Sequence, residues 1–257
     1  MRSDLLTLAL VAAGAVAEET HGDRLSSRET AHLSGLANPR VRRRWLAGRL
    51  AAKSLLLRDS AERLMALDGA SLRAFPAASC REIELLPAES GPPRPTRRGR
   101  KLPTRVSISH AGGFSCAALA DAGAATGVDL ESVVPRVPAF YRGNFTPRER
   151  QWAEAGARST TLSADWLYTF LWTVKEASLK SGATAVRSVW ELAHLEIELP
   201  ADLPGILAAD RRAALGERFS TFETVVCAAG RSTRARIETT STPDFVLSLF
   251  TAVEASR

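Results

Sequence analysis

One order of elements occurs twice in these 257 residues: a long helix bearing paired cations, then strands, then an apolar strand holding the phrase Cys-Ala-Ala, at Cys116 and at Cys227. The paired cations are Arg49 with Lys53 and Lys175 with Lys180. A chain of this length makes one large domain or two small ones. The repeat favours two similar α+β halves joined near residues 121–126, with the halves at 1–124 and 125–257.

Local signals place the elements. Ser26 and Glu29 stand at capping-box spacing, so a helix is expected from about Ser27 to Gly35. Asn38 and Pro39 supply a cap and a first-turn proline for a longer helix reaching about Leu57. Along it Arg40 and Arg44, and separately Arg49 and Lys53, lie four apart and stack on one side. A solvated face is the ordinary fate of such a run, but like charges at this spacing repel, and a bound anion would relieve them. Residues 81–86 alternate as a short strand. Residues 87–105 carry five prolines, two glycines and six basic side chains and read as a loop without elements. Val106 and Ile108 alternate with Ser107 and Ser109, and the apolar run 114–120 follows a Gly112-Gly113 turn, which makes a hairpin. Thr146 and Glu149 form a second capping box, opening a helix to about Gly156. Another helix is expected from near Ser163 to Lys180, ended by Gly182, with strands at 194–199 and 218–229.

The apolar run Leu5 to Ala17 follows Arg2 and ends in Ala-Val-Ala, in the manner of an export signal. Asp4 is unfavourable before such a run, and its length is too short for a membrane-spanning helix, so a buried first strand is expected. Three cysteines without metal-ligand spacing argue against a disulfide framework and for a reducing, cytoplasmic setting, with no membrane association. The net charge of +6 favours acidic or phosphorylated partners. No zinc spacing, RNA-binding aromatic motif or helix-turn-helix accompanies the arginines of 40–58 and 94–105, so nucleic acid is not the expected partner. The cations comprise thirty arginines and four lysines, Lys53, Lys101, Lys175 and Lys180, so each lysine stands out as a candidate requirement.

The chemistry gathers at three places. In Gly127-Val128-Asp129-Leu130-Glu131, positions two apart on an extended segment point the same way, so Asp129 and Glu131 present two carboxylates to one side. Oxygen-only ligands of this kind suit magnesium, although paired acids on a strand are more often simply solvated. On the helix Trp172–Lys180, Glu176 and Lys180 share a face, which for an isolated pair means an intrahelical ion pair. His110 closes a strand at the lip of the glycine turn, where a side chain can reach a ligand.

VSISHAGG (106–113), GVDLE (127–131) and WTVKEASLK (172–180), in this order, resemble the three signature motifs of the Sfp-type 4′-phosphopantetheinyl transferases. WLAGRLAAK (45–53), preceded by Leu25, Ser26 and Glu29, resembles the N-terminal motif of that family, so the resemblance covers roughly 25–230. It implies a pseudo-dimer of two α+β halves with the active site in the cleft between them. It also implies transfer of 4′-phosphopantetheine from coenzyme A to a serine of an acidic acyl or peptidyl carrier protein, by a monomer. Carried over by motif, Asp129, Glu131 and Glu176 surround Mg2+, while Ser109, His110 and Lys180 contact coenzyme A. Arg44, with Arg49 or Lys53, holds the 3′-phosphate, and Arg100 lies beside it. Catalysis is assigned to Glu176, Lys180 and His110, with either Glu176 or Glu131 as general base. Three departures stand out: Ala183-Thr184-Ala185-Val186 where a second glycine is usual, Ala111 after His110, and no clean Gly-Arg/Lys-Pro element, for which Gly99-Arg100-Lys101 and Gly91 to Pro95 are candidates. The alternative is a family member that binds coenzyme A or carrier without transfer, which retention of all three acids disfavours.

Overall fold

A computed structural model describes residues 7–58, 64–88, 92–121, 123–211, 215 and 217–253. The chain divides into two compact units, Met1–Ala124 and Ala125–Arg257.

The first unit runs β1 (Thr7–Ala12), α1 (Glu18–His21), α2 (Ser27–Ser34), α3 (Pro39–Leu57), β2 (Leu64–Leu67), α4 (Gly69–Ala74), α5 (Ala77–Arg81), β3 (Ile83–Glu84), β4 (Thr96–Arg97), β5 (Arg100–Lys101), β6 (Thr104–Ala111) and β7 (Phe114–Asp121). Its main sheet has the order β2-β1-β7-β6. The apolar run near the N-terminus supplies an inner strand, β1, parallel to β2 and antiparallel to β7. The β6–β7 turn places Gly112 at φ 52° and Gly113 at φ 93°, the positive pair that a tight two-residue hairpin requires. Helix α3 lies on this sheet, and Gly48 permits the contact, since a Cβ there would stand 2.8 Å from Ile108 Cγ2.

The segment 87–105 is not the plain loop expected of it. Strands β4 and β5 pair with each other and with β3 in a three-stranded sheet, turning at Arg98 and Gly99, both at positive φ. Four of the five prolines lie ahead of Thr96 and the fifth, Pro103, follows β5, so backbone donors are intact through the hairpin, and Glu82 pins the tip through Arg97 (3.2 Å) and Arg98 (2.6 Å). The strand expected over 81–86 shrinks to Ile83–Glu84, because α5 occupies the chain up to Arg81.

The second unit runs β8 (Thr126–Ser132), α6 (Pro138–Asn144), α7 (Pro147–Ser159), α8 (Ala164–Ser181), β9 (Glu196–Ile197), α9 (Leu203–Asp210), β10 (Ser220–Ala228), β11 (Arg231–Ser241) and β12 (Phe245–Ala252). Its antiparallel sheet has the order β8-β12-β11-β10-β9. Helix α8 packs Trp166, Phe170, Leu171 and Val174 into a core shared with Ile237, Val246 and Phe250, and ends at Gly182 with φ 68°. Among the described residues no helix is long and apolar enough to cross a membrane.

Each unit repeats one buried device. The capping-box glutamate of a short helix reaches a lysine on the following long helix: Glu29 to Lys53 at 2.5 Å, and Glu149 to Lys175 at 2.7 Å. Lys53 also donates to the carbonyls of Arg24 and Cys80, Lys175 to those of Asn144 and Leu192. The glutamates' second oxygens accept from the amides of Leu85 and Ile197. In both units the first carbonyl lies two residues before the helix cap, so the environments correspond group for group. The structure therefore aligns Lys53 with Lys175, which corrects the cation pairing read from the sequence. The Cys-Ala-Ala echo fails too: Cys116 lies on β7, beside β1, whereas Cys227 lies on β10, separated from β8 by two strands.

Burial pushes both lysines down from their ordinary range, and the paired glutamate opposes it. Removing one partner strands a buried charge, so Lys53→Met and Lys175→Met are each expected to cost about 3–5 kcal/mol. Urea denaturation checks this, and adding Glu29→Gln to Lys53→Met should recover part of the loss.

Candidate active site

Strand β8 is the edge strand of the second unit's sheet, and its pairing with β12 sets Ser248 opposite Asp129 and Val246 opposite Glu131. What brings it against α8 is Gly127. A Cβ at that position would lie 2.0 Å from the Ala177 carbonyl oxygen and 2.7 Å from the Ser181 amide nitrogen, inside the helix backbone itself. Only glycine allows this contact, and its consequence is two residues away: Asp129 and Glu131 face the last turns of α8.

There the carboxylates of Asp129, Glu131 and Glu176 offer oxygens that all lie within 4.8 Å of one another. Lys180 Nζ stands 2.5 Å from Asp129 Oδ1 and 3.6 Å from Glu176 Oε2. Arg136 Nη2 lies 3.5 Å from Glu131 Oε2. Asp129 is 1 % exposed, while Glu131 and Glu176 remain partly open to solvent. Desolvation, and then the neighbouring Asp129 and Glu176, push Glu131 up to about 7 against the pull of Arg136 and Lys180. Burial followed by Asp129 raises Glu176 as well, with Lys180 opposing. Crowded hard oxygens that hold their protons against self-repulsion suit a small divalent cation, which would supply the missing positive charge. The three acids present could therefore hold a metal ion.

The remaining expected residues belong to the first unit. His110 is exposed at the end of β6, opposite Ser115 on β7, and Ser109 beside it is buried. Ser115 Oγ donates to the Arg44 carbonyl at 3.2 Å, which sets Arg44 at the same end of the sheet as His110. Arg100 is exposed on the β4–β5 hairpin next to Lys101. Two expectations fail. Lys53 is wholly buried and engaged with Glu29, so it presents no ammonium to a phosphate. Arg49 is buried as well, donating from Nε to the Leu85 carbonyl at 2.9 Å with its guanidinium 4.4 Å over Trp45, and burial pushes it down to about 10. Both lie on the inner face of α3, which counting fours could not distinguish from the outer one.

Two groups that sequence reasoning did not single out shape the site. Gly127 was visible as part of GVDLE, but its steric role depends on a helix fifty residues onward. Arg136 carries no pattern at all, since a turning segment between Pro135 and Pro138 delivers it. The loop after Gly182 holds its shape without a second glycine: Thr184 and Val186 are buried, and Arg187 Nη1 donates to the Thr184 carbonyl at 2.7 Å.

Gly127→Ala is expected to destabilise the protein by at least about 1–3 kcal/mol through overpacking against backbone. Its denaturation midpoint is the measurement. A second expectation concerns pH. Glu131 is raised from its ordinary 4.5 to about 7, so the folded state binds its proton more tightly than the unfolded chain. That contribution is present below about 4.5 and is lost as pH rises through about 7. In chelator, Glu131→Gln should therefore melt progressively above wild type between about pH 5 and pH 8, at about 2–4 °C per kcal/mol. A difference that stays flat over this range would contradict the assignment.

No curated protein matches the chain in sequence. Residues 125–229, which contain Asp129, Glu131, Glu176 and Lys180, match the model of the 4′-phosphopantetheinyl transferase superfamily, and the mixed α+β architecture is consistent with the fold of that superfamily.

Proposed function

We propose that the chain is an Sfp-type 4′-phosphopantetheinyl transferase, moving the 4′-phosphopantetheine of coenzyme A onto a serine of an apo acyl or peptidyl carrier protein. The observation that carries this reading is the convergence of Asp129, Glu131 and Glu176 around one point, with Lys180 among them, inside the matched region.

In the reaction the serine oxygen bonds to the β-phosphorus, the bond from that phosphorus to the adenylate side breaks, and 3′,5′-ADP departs with the electron pair. Asp129, Glu131 and Glu176 would hold magnesium, which when bound would supply positive charge to stabilise the pyrophosphate. Lys180, partly exposed beside these acids, is positioned to add a second positive charge to the phosphates as negative charge develops. Glu131 or Glu176, directly or through water, takes the serine proton. His110, Arg44 and Arg100 of the first unit are assigned to the nucleotide phosphates, with Ser109 beside His110. The net charge of +6 suits an acidic carrier. A cytoplasmic monomer completes the reading.

Incubation with coenzyme A, magnesium and a panel of apo carrier proteins should add the mass of one phosphopantetheine to at least one of them. No gain with any carrier, despite measurable coenzyme A binding, would favour the non-catalytic reading. Asp129→Ala and Glu176→Ala should each lower transfer by at least about a hundredfold with the fold intact. Lys180→Ala should lower kcat more than it raises the KM for carrier. An effect confined to carrier KM would contradict its assignment to the phosphates.

A further inference from the structure

Arg136 lies outside every motif described above, yet it touches the acidic cluster. Its Nη2 stands 3.5 Å from Glu131 Oε2, and its side chain is 41 % exposed against 23 % for Glu131. The guanidinium is not loosely placed. Pro135 and Pro138 restrict the backbone on either side of it. Its own amide donates to Tyr141 Oη at 2.8 Å, and Tyr141 in turn donates to Asp165 at the start of α8. The guanidinium carbon lies 5.4 Å from the centre of the Phe140 ring, within cation–π range. The contacts to Tyr141 and Phe140 thus hold this cation beside one carboxylate of the candidate metal site.

The same arrangement stands on the other strand acid, where Lys180 sits on Asp129 Oδ1. Each acid of β8 therefore carries its own cation in the metal-free protein. A divalent ion and a guanidinium on one carboxylate repel each other. We infer that Arg136 is a built-in counter-ion of Glu131, holding that carboxylate in position in the metal-free state and competing with the divalent ion for it. The inference rests on the metal-binding reading above and deepens it. Arg136 is a positioning residue here, acting through Glu131 and not on the substrate.

The competition has a sign that a merely structural surface pair would not give. Where Glu131 is ionised in both proteins, removing Arg136 leaves it without its counter-ion, so the apo state is less favourable and the ion binds more tightly. The experiment is titration of the full-length protein with Mn2+, without coenzyme A, reading free Mn2+ by electron paramagnetic resonance. Arg136→Ala is expected to bind about two- to fivefold more tightly than wild type, the range of a partly exposed ion pair. Arg136→Lys is expected near wild type, because the charge is retained although the planar stack on Phe140 is weakened. Asp129→Ala is expected to lose binding. Unchanged or weaker binding by Arg136→Ala, with wild type binding normally, overturns the counter-ion role and leaves the metal site standing. Wild-type protein that binds no Mn2+, or binding that survives in Asp129→Ala, overturns both.

Discussion

The approach of β8 to α8 at Gly127 sets the spacing on which the rest of the site depends. Two of the acids ride on the strand and one on the helix, and at most 4.8 Å separates their oxygens. A methyl group at 127 would collide with two backbone atoms of the helix, and neither can turn aside as a side chain could. The strand would have to lift, and the carboxylates would part together. Packing at this one residue is therefore what converts two common sequence features, alternating acids on a strand and a Glu-x-x-x-Lys on a helix, into a single cluster.

The scarcity of lysine in this chain has a structural explanation at three of its four positions. Lys53 and Lys175 each run through the buried interior to reach one carboxylate and two carbonyls, and an ammonium with three donors is satisfied by those three acceptors. Arginine would bring five donors and a planar fork into the same space, leaving some without partners. Lys180 fits between Asp129 and Glu176 for a related reason, since a point charge can serve two carboxylates at once. The devices at Lys53 and Lys175 are also what make the two units alike. Their shared logic is that the glutamate capping one helix simultaneously anchors the next, so cap, ion pair and a distant backbone amide form one network.

Much of the fold was legible because its signals are local. Both capping boxes, the Gly112-Gly113 hairpin, the long helices and the stop at Gly182 are decided by a few adjacent residues, and all stand where the spacing places them. Elements held by distant partners were not legible. Strands β4 and β5 have two residues each and exist because β3 offers a ladder, and β11 carries too many polar and small residues to announce itself, whereas the apolar run of β12 was legible and went unread. The site divides in the same way. Asp129, Glu131, Glu176 and Lys180 follow from strand and helix periodicity, whereas the burial of Arg49 and Lys53 depends on which side of α3 the sheet covers. Charge pairs at i, i+4 look the same on either side.

The charge balance of the cluster explains why these cations sit where they do. Three carboxylates face two cations, Lys180 and Arg136, so full ionisation leaves one surplus negative charge in a half-buried place. Protonation of Glu131 is one way to remove it, and the elevation of that group toward neutral pH shows how closely the alternatives compete. A divalent ion removes it without a proton, and would overcompensate while Lys180 and Arg136 stay in contact. The excess positive charge is what an incoming pyrophosphate would neutralise. On the proposed reading, that attraction would couple the binding of the metal to the binding of the anionic substrate.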